Sequence, residues 1–189
     1  IFDGDGFTAE WPAEAARREL PVVADSTEAF RALQARKNVE LFRKYAVLSK
    51  TELESRMHIA VEKYIKQITI EAETMVSIAR GQILPAALQH QALVAEAVAA
   101  TDAAGVDCQD TRDALGDFVG MVTQLRQATA ALERACAHHD EDPMRHAKHM
   151  GSAVRAAMTT LRTAVDTLET WVAADLWPLP TYRQLLHLK

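Results

Sequence analysis

The chain has 189 residues, a formal net charge of −5 and a pI near 5.8. A chain of this length can bury one sizeable core, so one domain with appendages is expected. The acidic balance excludes the broad basic face that nucleic acid or an anionic membrane requires as a partner.

A local basic cluster of Arg31, Arg36, Lys37, Arg43, Lys44 and Lys50 is accompanied by Glu28 and Glu40. No aromatics are spaced through it for base stacking, so it reads as a solvated helix face. The two cysteines, Cys108 and Cys136, are far apart and in no metal-like spacing. Cys108 is expected in a polar turn and Cys136 on an apolar stripe, both as free thiols in a reducing cytoplasm. No transmembrane segment is expected, because His90, Glu96 and Asp102 interrupt the most apolar stretch, residues 84–106. The start is acidic and glycine-rich, unlike a signal peptide, and its first residue is Ile, as expected of a fragment or processed chain.

In chain order, residues 1–49 read as a connector with short helices. Thr8 is placed to cap a helix through Trp11 and Pro12 towards Arg18, where a first-turn proline loses no bond. Ser26 is placed to cap a second helix containing Phe30 and Leu33, and Leu41, Phe42 and Tyr45 supply the apolar edge of a third.

A bundle is expected over residues 50–175. It opens with the S-x-x-E capping box of Ser49 and Glu52. Leu53, Met57, Val61, Tyr64, Ile68, Ala72, Met75 and Ala79 then recur at helical steps. Ile59, Ile65 and Ile70 widen the stripe, which predicts cover on more than one side, and Glu52–Arg56 and Glu62–Lys66 are expected as ion pairs. Pro85 would lose a donor and clash with the Gly81 carbonyl, so this first long helix is expected to kink or break near Pro85.

The alanine-rich continuation should end at Gly105, and Asp110 should open the next helix. That helix carries Leu115, Phe118, Val122, Leu125, Thr129, Leu132, Cys136 and His139 on one stripe. Phe118, Leu125 and Leu132 are expected to face the last long helix. Asp142 and Pro143 form a cap and first-turn proline for that helix, which presents Val154, Met158, Leu161, Val165, Leu168 and Val172 and should end at Asp175 and Leu176. Short connections predict antiparallel neighbours, and no alternating run suited to a sheet follows residue 25. The fold class is all-α. Residues 176–189 read as a tail that Trp177 and Tyr182, bracketing Pro178 and Pro180, pin against the body.

Several segments carry a family resemblance. They are Tyr64-Ile65-Lys66-Gln67-Ile68-Thr69-Ile70-Glu71-Ala72-Glu73-Thr74-Met75 running on to Ile83-Leu84-Pro85-Ala86-Ala87-Leu88, and Asp175-Leu176-Trp177-Pro178-Leu179-Pro180-Thr181-Tyr182-Arg183. With Ile1-Phe2-Asp3-Gly4-Asp5-Gly6-Phe7, Glu10-Trp11, the run from Tyr45 to Arg56 and Val165-Asp166-Thr167-Leu168-Glu169, the chain resembles the C-terminal region of the type III glutamine synthetases. Glu19-Leu20-Pro21-Val22 departs from that pattern, which has a glycine before Leu-Pro. The resemblance implies an ATP-dependent glutamate–ammonia ligase that forms glutamine through a γ-glutamyl phosphate. It also implies an upstream catalytic domain that holds ATP and Mg or Mn, and a homo-oligomeric, double-ringed dodecamer.

Other constellations in the chain resemble chemical motifs. Gly4-Asp5-Gly6-Phe7-Thr8-Ala9 fits the dinucleotide pattern G-x-G-x-x-A, but no βαβ repeat follows, so it reads as a turn closing a strand of the upstream domain. As a calcium loop the same stretch fails at both ends, Ile1 and Pro12. His138, His139, His146 and His149 cluster at one helix–helix turn, and His146 and His149 share a helical face that could reach a metal. The cluster is expected to be a solvated turn. Glu71 and Glu73, two apart on a helix, point to different faces and are expected to pair with basic partners on neighbouring elements. No catalytic, cofactor-binding or metal-binding residue is assigned. The expected role is structural or subunit contact; the rivals are a free-standing helical scaffolding or signalling module and a metal-binding bundle on the His138–His149 turn.

Overall fold

The computed structural model describes residues 3–23, 25–180 and 182–186, the side chains of Tyr182 and Arg183 excepted. Among the described residues there is helix and turn but no strand. The chain divides into two compact units, Ile1–Lys63 and Tyr64–Lys189, the division falling inside one long helix.

The first unit holds α1 (Glu10–Arg17), α2 (Ser26–Leu33), α3 (Arg36–Lys44) and the start of α4 (Lys50–Ile78). Two of its caps differ from expectation. The Thr8 hydroxyl donates to the Asp5 carbonyl at 2.9 Å and leaves α1 with no side-chain cap. Asp25, not Ser26, caps α2: its Oδ1 accepts from the N–H groups of Thr27 (2.7 Å) and Glu28 (3.0 Å). An ionised carboxylate accepts two N–H donors at a helix start better than a hydroxyl does, which is why the residue one step earlier wins. The bond from the Thr27 hydroxyl, then the Glu28 N–H, holds the Asp25 carboxyl below its usual range.

The capping box forms as read. The Ser49 N–H donates to Glu52 Oε2 at 2.8 Å and the Glu52 N–H to Ser49 Oγ at 3.2 Å, and the Ser49 N–H lowers the Glu52 pKa. Arg56 and Lys66 are not the ion-pair partners. Glu52 is taken by Ser49, and Glu62 stands 3.2 Å from His58. Of the stripe in this unit, Leu53, Met57 and Val61 are buried, while Ile59 is 62% exposed, so α4 is covered on one side there.

The second unit is a bundle of long helices. After Ile78 the chain makes a π turn, Ala79–Ile83, and resumes as α5 (Leu84–Ala103). The expected interruption near Pro85 takes this form. A widened turn drops the backbone bond that a proline cannot donate, and Pro85 falls in the first turn of α5, where no N–H partner is needed. The helical run Lys50–Ala103, counted through the turn, spans 54 residues, and its most apolar 18-residue window has a mean hydropathy of 1.2. By length and composition alone that suffices to cross a membrane, where no such segment was expected.

Gly105, at φ 74°, ends α5: its N–H donates to the Asp102 carbonyl and that of Val106 to the Thr101 carbonyl. Next come α6 (Gln109–Cys136), α7 (Pro143–His149), a second π turn (Met150–Val154), α8 (Arg155–Glu169) and α9 (Tyr182–Leu186). Cys108, not Asp110, occupies the cap of α6 and is buried instead of lying in a polar turn; its Sγ lies 3.8 Å from the Val98 carbonyl. Asp142 caps α7 as read, accepting from Met144 and Arg145.

The core joins Ile68, Ala72, Ile83, Phe118, Val122, Leu125, Leu132, Met150, Val154, Leu161 and Leu168. α6 packs on both α5 and α8. Phe118, Leu125 and Leu132 are all buried as expected, and the Phe118 ring meets His90 of α5 edge-on at 4.9 Å. Ile70 is 64% exposed, against the expected second-side cover. α8 stops at Glu169, short of the expected Asp175–Leu176, and the chain continues in turns.

Candidate functional site

An apolar groove of the second unit has a volume of about 400 Å³. Met75 and Ile78 from the end of α4, with Ala79 and Ile83 of the first π turn, make one wall. Leu161 and Val165 of α8 make the opposite wall, and Leu179, Pro180 and Leu185 of the tail close the end. At the rim, Arg162 Nε donates to Asp166 Oδ1 at 2.6 Å, one turn along α8, and Glu169 adds a carboxylate. Such a groove offers apolar surface and shape; its charged groups are largely neutralised in pairs and face solvent.

The tail beside it is partly docked. The Leu176 and Trp177 N–H groups donate to the Ala173 carbonyl, and Leu176, Trp177 and Leu179 pack on the core. The Ala173 N–H reaches His90 Nδ1 at 3.4 Å, which ties the tail to α5. The Trp177 indole Nε1 is buried without a hydrogen-bond partner among the described residues. Leu185 and Leu186 of the short α9 are exposed. The Tyr182 anchor lies outside the described residues.

A second groove runs between α6 and α8, with Gln124, Gln127 and Arg134 facing Thr159, Thr163 and Thr167. These threonine hydroxyls donate to the carbonyls four residues before them, so they are already satisfied within α8.

The histidine turn is drawn together more closely than its sequence implies. His138 lies against His149 with ring centroids 4.3 Å apart, and His139 meets His146 edge-on at 5.0 Å. His149 Nε2 is 2.8 Å from the Ala135 carbonyl, and the Asp140 N–H donates to His146 Nδ1 at 3.4 Å. His146 and His149 thus each commit a ring nitrogen to backbone. Among the described residues, no three His, Cys, Asp or Glu side chains form a group that could hold a metal.

The remaining candidates disperse. Glu71 accepts from Gln67 of its own helix at 3.1 Å, and both Glu71 and Glu73 face solvent, in place of basic partners on neighbouring elements. At the start of the chain, the Asp5 carboxylate accepts from the Phe7 N–H at 2.9 Å, an Asx turn that leads into α1. In the basic cluster, Arg36 pairs with Glu40 and Lys50 with Glu54. Missed entirely were the second π turn and the contact it makes. A Cβ on Gly151 would lie 2.6 Å from the Tyr64 hydroxyl. The lone glycine inside an apolar helical stripe was the available signal.

Residues 1–102 match the family model described as the glutamine synthetase C-terminal domain. Over 197 residues the chain is 29% identical to a type-3 glutamine synthetase of Dictyostelium discoideum, with 100% of this chain and 27% of that protein aligned. It is 26% identical over 196 residues to a glutamine synthetase of Bacteroides fragilis (strain YCH46), again with 100% of this chain and 27% of the relative. A glutamine synthetase of Butyrivibrio fibrisolvens is also 26% identical over 196 residues, covering 98% of this chain. The chain therefore spans about a quarter of the length of the curated relatives that it matches.

Proposed function

Because this chain belongs to the family of glutamine synthetase C-terminal domains, we propose that it is the C-terminal helical region of a type III glutamine synthetase and braces the enzyme or joins its subunits. One observation carries this reading: the relatives align with this chain from end to end while most of their own length lies outside the match. In this proposal residues 1–49 lead from an upstream catalytic domain, 50–175 form the bundle and 176–189 anchor its end. The whole protein ligates ammonia to glutamate at the expense of ATP, in the cytoplasm, as a homo-oligomer that the family resemblance sets at twelve subunits.

ATP and a divalent metal belong to the upstream domain in this reading, and no step is assigned to residues of this chain. Apolar side chains left in solvent on several helices, among them Ile59, Ile70, Leu93 and Val119, are available for such contacts.

The test has two arms. The isolated chain, supplied with glutamate, ammonium, ATP and magnesium, is expected to make no glutamine and to show no saturable ATP binding by calorimetry. In the intact protein, deleting residues 50–189 is expected to lower the assembly size seen by sedimentation velocity. Glutamine formation by the chain alone, or an assembly of unchanged size and activity after the deletion, would overturn the proposal.

A further inference from the structure

The turn from α6 into α7 holds four imidazoles in two ring pairs, His138 on His149 and His139 on His146. Two successive turn residues thus each rest on a residue of the following helix, like rungs. The hydrogen bonds fix the protonation that this arrangement needs. The Ala135 carbonyl only accepts, so His149 Nε2, 2.8 Å away, carries a hydrogen. The Asp140 N–H only donates, so His146 Nδ1, at 3.4 Å, must keep its lone pair. His149 can hold its bond whether neutral or charged. His146 can hold its own only while Nδ1 is unprotonated.

The surroundings oppose a charge at His146. Burial holds its pKa below the ordinary imidazole range, against an opposing contribution from the Asp140 backbone, and His139, His149 and His138 add to the lowering. The nearby carboxylates are engaged elsewhere. Asp140 pairs with Arg145 at 3.1 Å and accepts from the Asp142 N–H, and Asp142 caps α7. Glu141 and Lys148 face solvent. From α6, Glu133 is bonded to Arg80, and Arg134 lines the groove towards α8. The second π turn, Met150–Val154, brings no titratable side chain.

We propose that the four histidines form a pH-sensitive clasp on the α6–α7 turn, closed while His146 is neutral and released when its Nδ1 takes a proton from solvent. The sign follows from the lowered pKa. A folded state that binds this proton less readily than the open one is favoured above the ordinary imidazole range, and that preference is lost as pH falls through the depressed value. Release is local, because the buried Ala147 and Met150 keep the end of α7 on the core.

The test is an NMR titration of the intact 189-residue chain from about pH 8 to about pH 5, the span in which imidazoles change charge. The Asp140 amide shift is expected to follow the His146 ring and no other histidine. Its solvent exchange, corrected for the intrinsic pH effect, should rise by up to about tenfold per pH unit as pH falls from the ordinary imidazole range to the His146 midpoint, and level off below it. In His146→Asn, whose side-chain oxygen can accept from the Asp140 N–H without titrating, that rise should disappear. A pH dependence that survives His146→Asn overturns the clasp. Should that variant fail to fold, the unmodified chain still decides: an Asp140 amide that follows another ring, or none, also overturns it.

Discussion

At the scale of residues, backbone hand decides more than side-chain chemistry. α1, α3 and α5 all end in the same paired-bond motif, with Glu19 at φ 55°, Ala46 at φ 52° and Gly105 at φ 74° in the left-handed position. Only Gly105 adopts that hand without a Cβ penalty. Glu19 carries that Cβ, so Glu19→Gly is expected to stabilise the chain by about 1 kcal/mol, read from the midpoint of urea unfolding. A lower midpoint would mean that the Glu19 side chain makes a contact worth more than the strain. Gly151 is the converse case, a glycine required by a neighbour. Gly151→Ala sets a methyl against the Tyr64 hydroxyl and should cost about 1–3 kcal/mol. The same change made on a Tyr64→Phe background should cost clearly less, since the clashing oxygen is gone. Equal costs on the two backgrounds would refute this contact as the cause.

At the scale of elements, apolar periodicity was an accurate guide wherever a helix had one buried side. The α6 stripe places Phe118, Val122, Leu125 and Leu132 in the core, and the α8 stripe does the same with Leu161 and Leu168. Leu125→Ala, at a site 1% exposed, is expected to cost about 2–5 kcal/mol in chemical denaturation, the range for emptying a tightly packed core position. A loss under about 1 kcal/mol would mean that neighbours collapse into the space. Periodicity misled where it was read as cover on a second side: Ile59 and Ile70 fit a widened stripe yet lie in solvent. Spacing states which residues share a face; it does not state that another element comes to meet them.

At the scale of the whole molecule, the exposed apolar positions carry the proposed contact role. Ile70→Lys should leave helix content unchanged by circular dichroism, because the side chain is 64% exposed and touches no core. In the intact protein the same change is expected to shift sedimentation towards smaller species. An unchanged assembly would remove Ile70 from any subunit contact and point to other exposed residues, such as Leu93 of α5.

The sequence by itself determined the all-α class, the Ser49–Glu52 box, the Asp142 cap, the Gly105 stop and the family, because each is written in local spacing and backbone chemistry. The tertiary structure alone decided how Pro85 is absorbed, since a π turn depends on what the widened backbone packs against. It alone brought Met75 of α4, Val165 of α8 and Leu179 of the tail to one groove. It also paired the histidines ring on ring and turned their nitrogens to backbone. These arrangements join residues distant along the chain, or rotate neighbours by less than one helical step. Neither leaves a period or a motif in the sequence to be read.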